Sequence, residues 1–155
     1  MAADRPVTPE TDSLLLDTML GKLAVYLRMC GYDAAYAGER GIEADDAVRA
    51  LAREEDRLLL TRDAELAASM EDAVLLAERE PAEQLEELRA VGFGLALPDE
   101  PSRCGRCNGR LEPVSPADDR PAYAPPSDGS ECWRCVDCGQ WFWRGSHWDR
   151  VASLL

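Results

Sequence analysis

Two Cys-x-x-Cys pairs, Cys104-Gly-Arg-Cys107 and Cys135-Val-Asp-Cys138, stand 27 residues apart in the last third of the chain. No other feature restricts the fold as tightly. Each pair puts two thiolates on one tight turn, and two such turns supply a closed tetrahedral site for one zinc ion. Four thiolates leave no open position, so the metal is expected to be structural and not catalytic. Gly105 and Gly139 read as the residues that give these turns their backbone freedom. Cys132 offers a competing spacing, Cys132-x-x-Cys135. Cys138 is preferred because Gly139 follows it as Gly105 follows Cys104, and because the pair then precedes an aromatic strand, Trp141-Phe142-Trp143. That choice leaves Cys132 outside the site. Cys30 falls on the apolar face of a predicted helix and reads as a buried thiol.

Six cysteines invite a disulfide reading as well. The first residues lack the basic-then-apolar pattern of a secretion signal, and the paired spacings favour metal. No run approaches the ~20 apolar residues that a membrane helix needs. The expectation is a cytoplasmic protein with no membrane association.

Charge divides the chain at the same place as the cysteines do. Residues 1–100 hold 23 Asp and Glu against 10 Lys and Arg, a balance of −13, whereas residues 101–155 hold 7 of each. An acidic first part is a poor non-specific binder of nucleic acid, because phosphate contacts need cations. Any such role requires metal ions to mask the carboxylates.

Before the cysteines, short apolar runs alternate with helical periodicity. Leu14-Leu15-Leu16 is a strand, followed by Leu20, Leu23, Ala24, Leu27 and Cys30 at helical spacing, with Gly31 closing the helix. Residues 32–37 form a second candidate strand, and a helix capped by Asp45 or Asp46 runs through Arg53. Residues 57–60 form a third strand, 64–70 a short helix and 73–77 a fourth strand. Pro81 opens a last helix. This alternation predicts a parallel α/β sheet with crossover helices. Residues 1–12 read as a disordered lead-in, 13–98 as the α/β domain, and 103–150 as the zinc-bound part.

Residues just beyond the carboxyl ends of parallel strands line the ligand crevice of such a sheet. Asp17 follows the first strand and Asp63 the third, and Asp45 or Asp46 opens a helix beside the same edge. Carboxylates gathered there repel unless a divalent cation joins them, and hard oxygen ligands suit Mg²⁺ or Mn²⁺. The bland alternative makes each aspartate a helix cap. His147, the only histidine, reads as an ordinary surface or core residue, with RNA contact or zinc ligation as alternatives. Trp141, Trp143 and Trp148 serve either as the core of the small cysteine-rich part or as stacking platforms for bases.

Leu16-Asp17-Thr18-Met19-Leu20-Gly21-Lys22-Leu23-Ala24, Tyr26-Leu27-Arg28-Met29, Gly31-Tyr32-Asp33 and Leu60-Thr61-Arg62-Asp63 closely resemble the signature of a PIN-like ribonuclease family. That family is named after the C-terminal domain of the nematode exonuclease Mut-seven. Arg103-Cys104-x2-Cys107-Asn108, Trp133-Arg134-Cys135-x2-Cys138-Gly139 and Trp143-x-Gly145-Ser146-His147-Trp148 carry the likeness to about residue 150. The resemblance implies a PIN-like three-layer domain with a central, mostly parallel sheet, followed by a zinc ribbon, and a metal-dependent ribonuclease activity on RNA. It implies Asp17 and Asp63 as catalytic acids that hold Mg²⁺ or Mn²⁺, with Asp45 or Asp46 as the third. It also assigns zinc to Cys104, Cys107, Cys135 and Cys138. A fourth acid is expected after the fourth strand, where Glu78 and Glu80 lie. Lys22, Arg28, Arg62 and His147 are candidates for RNA contacts. The competing readings are a non-catalytic RNA-binding or ribosome-associated module, and a PIN-type toxin.

Overall fold

The computed structural model describes residues 5–115, 117–126 and 131–155. Four short strands, β1 (Ser13–Leu16), β2 (Asp33–Tyr36), β3 (Leu58–Thr61) and β4 (Ala73–Leu75), form a parallel sheet in the order β2-β1-β3-β4. Leu14 pairs with both Ala34 and Leu58, and Leu16 with Tyr36 and Leu60. The strands are unbroken apolar runs because both faces are covered. On one face Leu14, Leu16, Leu60 and Val74 meet Leu23, Ala24 and Leu27 of α1 (Gly21–Met29) and Leu85 and Leu88 of α4 (Pro81–Ala90). On the other, Leu15, Ala35 and Leu59 meet Val48, Leu51 and Ala52 of α2 (Asp45–Glu54) and Leu66 of α3 (Ala64–Ala68). The result is three layers.

The expected elements are present, with shifted ends. A 3-10 turn, Thr18–Leu20, precedes α1, and Gly31 adopts φ +93°, the left-handed conformation of a residue just past a helix end. Ala44, and neither Asp45 nor Asp46, occupies the cap position of α2, and it makes no side-chain cap bond. The two aspartates stand in the first turn instead, where their charge suits the helix dipole. Among the described residues no helix is long and apolar enough to cross a membrane.

The lead-in expectation needs correcting. Residues 1–4 lie outside the described residues, but 5–12 are fixed to the core. Val7 is buried; its N–H donates to Gly92 O at 2.9 Å and its carbonyl accepts from Gly94 N at 2.8 Å. The Tyr32 hydroxyl lies 2.9 Å from Val7 O and 2.8 Å from Gly94 O. A single valine between prolines carries no periodicity, so its burial leaves no trace in the sequence.

The cysteine-rich part is a three-stranded antiparallel sheet, β5 (Leu111–Pro113), β6 (Cys132–Cys135) and β7 (Trp141–Trp143), in the order β5-β6-β7, followed by α5 (Ser146–Ala152). Arginines cover its buried indoles from the solvent side: the Arg144 guanidinium lies 5.2 Å from the Trp133 ring centroid and that of Arg120 5.7 Å from Trp141. Leu154 and Leu155 return to pack on the α/β core.

The two parts meet at the free edge of β2. Ala34 N–H donates to Asn108 Oδ1 at 2.9 Å, and Arg28 Nε donates to Ala34 O at 2.9 Å. One side chain from the ribbon and one from α1 thus satisfy an edge residue whose backbone would otherwise stay open. Arg28 is 2% exposed and also reaches Gly105 O at 3.0 Å and Glu39 at 2.7 Å. Asn108 Nδ2 donates to Asp33 Oδ1 at 2.7 Å, and Arg57 donates to the same oxygen at 2.8 Å. Burial raises the Asp33 carboxyl, but these two donors outweigh it and hold the group below its usual range.

Candidate metal centre and acidic edge

The four expected cysteines converge. All four Sγ atoms lie within 4.8 Å of one another, with Cys104 and Cys138 at 3.7 Å and Cys107 and Cys135 at 3.5 Å. A tetrahedral ion with metal–sulfur bonds of ~2.3 Å requires sulfur–sulfur edges of ~3.8 Å, so the cradle has the size of a tetrathiolate zinc site. Backbone N–H groups point at the sulfurs: Cys107 N reaches Cys104 Sγ at 3.4 Å, and Asp137 N and Cys138 N reach Cys135 Sγ at 3.4 and 3.5 Å.

The two turns repeat one geometry. Asn108 at φ 72° and Gly139 at φ 79° follow the second cysteine of each pair, and their N–H groups bond Cys104 O at 2.8 Å and Cys135 O at 3.1 Å. The counterpart of Gly139 is therefore Asn108. Gly105, expected to supply backbone freedom, has no left-handed φ; a Cβ there would stand 3.3 Å from Val25 Cγ1, so its smallness serves the approach of the ribbon to α1.

Burial pushes the Cys104 and Cys107 thiols up. At Cys135 burial acts the same way, but the N–H groups of Cys138 and Asp137 more than offset it and the net shift is downward. A divalent cation at the centre favours the thiolate at every position. Cys132 lies elsewhere, buried, with Arg120 NH1 3.2 Å from its sulfur. Cys30 is buried as expected, and burial raises its thiol to about 11.

The strand order reverses between β1 and β3, and at that point the acidic edge is built. Asp17 leaves the end of β1 and is 4% exposed. Its Oδ1 accepts from Thr18 N at 2.8 Å and its Oδ2 from the Thr61 hydroxyl at 2.7 Å. Thr61 ends β3, is fully buried, and its Oγ1 accepts from Asp63 N at 3.0 Å. Asp63 in turn caps α3 through Glu65 N at 2.9 Å and Leu66 N at 3.2 Å. The capping role and the edge position coincide in Asp17 and Asp63. Asp45 and Asp46 are exposed at the start of α2, and Asp46 pairs with Arg49 at 3.3 Å. Among the described residues the cysteine set is the one group of three or more Cys, His, Asp or Glu ligand atoms within 4.8 Å of one another, so the aspartates do not form a preassembled cage.

A cleft of about 400 Å³ opens at the turn that follows Asp17 in the chain, lined by Thr18, Lys22, Tyr36, Arg79, Glu80 and Gln84 among others. Glu80 thereby belongs to this edge. Glu78 faces Glu83 instead, and their shared hydrogen bond, with mutual repulsion adding to it, raises the Glu83 carboxyl.

Of the cations picked from sequence, Lys22 stands exposed in this cleft, and Arg62, next to Asp63, has a buried Nε with no hydrogen-bond partner. His147 is exposed on α5, away from the sulfurs. Arg28 is corrected: its donors are spent on Ala34, Gly105 and Glu39, which removes it from the residues that meet a phosphate. Sequence reasoning missed Thr61 and Arg79. A hydroxyl closing a buried leucine strand must find a partner, and that requirement was the available signal for Thr61.

A three-layer α/β domain with carboxylates at its switch point is joined here to a small antiparallel sheet whose four-cysteine cluster fits a zinc ribbon. The model of the Mut7-C RNAse domain matches residues 12–155, and the chain belongs to that family. No match was found among curated proteins or among solved structures.

Proposed function

We propose that this chain is a metal-dependent ribonuclease that hydrolyses RNA phosphodiester bonds at the Asp17–Asp63 edge, with the zinc ribbon helping to hold the RNA. The observation that carries the reading is Asp17: a buried carboxylate at the switch point whose charge is met by two neutral donors, Thr18 N–H and the Thr61 hydroxyl. Buried charges are ordinarily paired or bound to metal. Mg²⁺ is commonly held by one or two carboxylates, with water and substrate phosphate completing its shell, so Asp17 and Asp63 fit it without a preassembled cage. Bound there, Mg²⁺ or Mn²⁺ supplies an activated water and a counter-charge for the leaving oxygen. Thr61 fixes the rotamer of Asp17 and ties it to the backbone of Asp63. Lys22, Arg79 and Arg62 flank the edge and neutralise RNA phosphates that the surrounding acids would repel. Asp45 or Asp46 joins as a third acid, and Glu80 as the fourth. The sulfur set takes one structural Zn²⁺.

The test is cleavage of single-stranded and structured RNAs in Mn²⁺, Mg²⁺ or EDTA. Asp17→Asn is expected to abolish metal-dependent cleavage, and Thr61→Val to reduce it by roughly 10–100-fold, as loss of an outer-shell partner does. Undiminished cleavage by Asp17→Asn would sink the assignment. A non-catalytic RNA-binding module is the second reading, favoured by the separation of Asp45 and Asp46 from Asp17. It requires that Asp17→Asn bind RNA as the parent does and that neither protein cleave.

A further inference from the structure

One cleft differs in chemistry from the rest of the surface. It holds about 190 Å³ between Val25 and Met29 of α1 and Phe142, Trp143, His147 and Trp148 of the ribbon. Arg103 stands in its wall, and no lining residue is an acid, in a chain with 30 acids against 17 bases. The cleft at the amino-terminal edge of the sheet is lined instead by four acids, Asp12, Glu55, Asp56 and Asp72, with Arg5 and Arg57 between them. Phe142, Trp143 and Trp148 are only half-buried, so aromatic surface is left open where a closed core would have covered it.

The walls are fixed. A Cβ on Gly145 would fall 2.7 Å from Trp143 Nε1, so a glycine there lets the indole keep its place. Trp143 also stacks on Tyr123 with ring centroids 6.1 Å apart. The cleft and the one that holds Lys22 lie along the same helix, α1. Lys22, Val25 and Met29 recur at i, i+3 and i+7, which is one face of α1, and Lys22 also lines the cleft at the turn that follows Asp17. At 1.5 Å per residue, Lys22 and Met29 are ~10 Å apart along the axis, a distance a nucleic-acid strand covers in a few nucleotides.

We propose that this cleft receives one unpaired nucleobase of the RNA strand whose phosphates lie at the acidic edge; the inference rests on the ribonuclease reading. A cavity of ~150 Å³ is enough to hold benzene, so the space admits a flat ring. Indole and benzene faces stack on any base, which makes the cleft a selector of unpaired nucleotides and not of sequence. A base inside a duplex keeps its stacking partners and cannot enter. The substrate class is therefore RNA with a single-stranded segment.

The experiment uses full-length, zinc-loaded Asp17→Asn protein, so that RNA survives, and fluorescence anisotropy with Mg²⁺. A labelled oligouridine is compared with an abasic ribose-phosphate strand of the same length and charge. The base-bearing strand is expected to bind roughly tenfold tighter, the scale of one stacked base. That ratio should fall to about one in Trp148→Ala and in Met29→Glu, which attack the cleft from opposite walls, and persist in Trp148→Phe. Retained zinc shows that each variant is folded. Equal binding of the two strands by the parent, or an unchanged ratio in both wall variants, overturns the proposal and assigns the cleft to an apolar side chain of a protein. Cleavage by the Asp17-containing protein is measured beside it. Cleavage with equal binding sinks the base site alone, and a base-dependent ratio without cleavage sinks the nuclease reading alone.

Discussion

The α/β domain and the ribbon are held together by different physics. In the first, Leu14, Leu15 and Leu16 of β1 and Leu59 and Leu60 of β3 are fully buried between helices on both faces, and burial of this kind contributes ~25 cal/mol per Å² of apolar surface. The ribbon has three short strands and few buried apolar residues, chiefly Trp133, Trp141 and Val151 besides cysteines. A core that small does not stabilise a sheet, and the four-sulfur cradle takes its place. The lesson is that one domain is specified by pattern and the other by ligand spacing.

Metal removal should break the comparison most visibly. A structural zinc contributes ~10 kcal/mol or more to folding of its module, as much as a whole domain's stability of ~5–15 kcal/mol. All four tryptophans, Trp133, Trp141, Trp143 and Trp148, belong to the ribbon, so indole emission reports on the ribbon and on its contact with α1. Chelation is expected to shift tryptophan emission while far-UV circular dichroism keeps most of the helical signal of the α/β domain. Simultaneous loss of both signals would mean that the two parts fold as one unit.

A smaller effect is expected from Arg28→Ala, which removes the tie from α1 to Ala34 O, Glu39 and Gly105 O. Leaving buried acceptors without a donor costs about 2–3 kcal/mol, less than the ~3–5 kcal/mol of a broken buried pair because Glu39 can turn to solvent. In denaturant the tryptophan and far-UV transitions, close together in the parent, should separate. Arg28→Lys should not restore them, since an ammonium cannot reproduce the forked contacts.

The smallest effect belongs to the α/β domain alone. Asp12 is held at about 2, down from 3.8, chiefly by its hydrogen bond from Arg5, with Thr11 and Thr8 N–H adding to it against burial. A depressed carboxyl contributes stability that is present above pH ~4 and lost as pH falls toward ~2. Arg5 is 60% exposed, so solvent screens the pair and Asp12→Asn should cost about 1 kcal/mol at pH 7. Melting followed by circular dichroism at pH 7 and near pH 2 checks this: the gap between parent and variant should close at the acid end.

Much of the molecule was legible in sequence, because its signals are local. Alternating apolar runs set the order of strands and helices, Gly31 marked the end of α1, and Cys-x-x-Cys spacing named the sulfur set before any fold was known. The places of Asp17 and Asp63 after strands were legible the same way, whereas a catalytic role for them is what the family resemblance implies. What the tertiary structure decided depends on partners far apart in the chain. The hydroxyl of Thr61 meets Asp17 44 residues earlier, and Arg28 looked like a surface cation until the ribbon, 77 residues on, closed over it. Val7 gained its place only when residues 92–94 came to pair with it. Spacing along the chain fixes which groups share a helix face or a tight turn. Which buried donor finds which acceptor is settled only when the sheet edge, the helix and the ribbon are packed, because an unpaired polar group in that interior is too costly to keep.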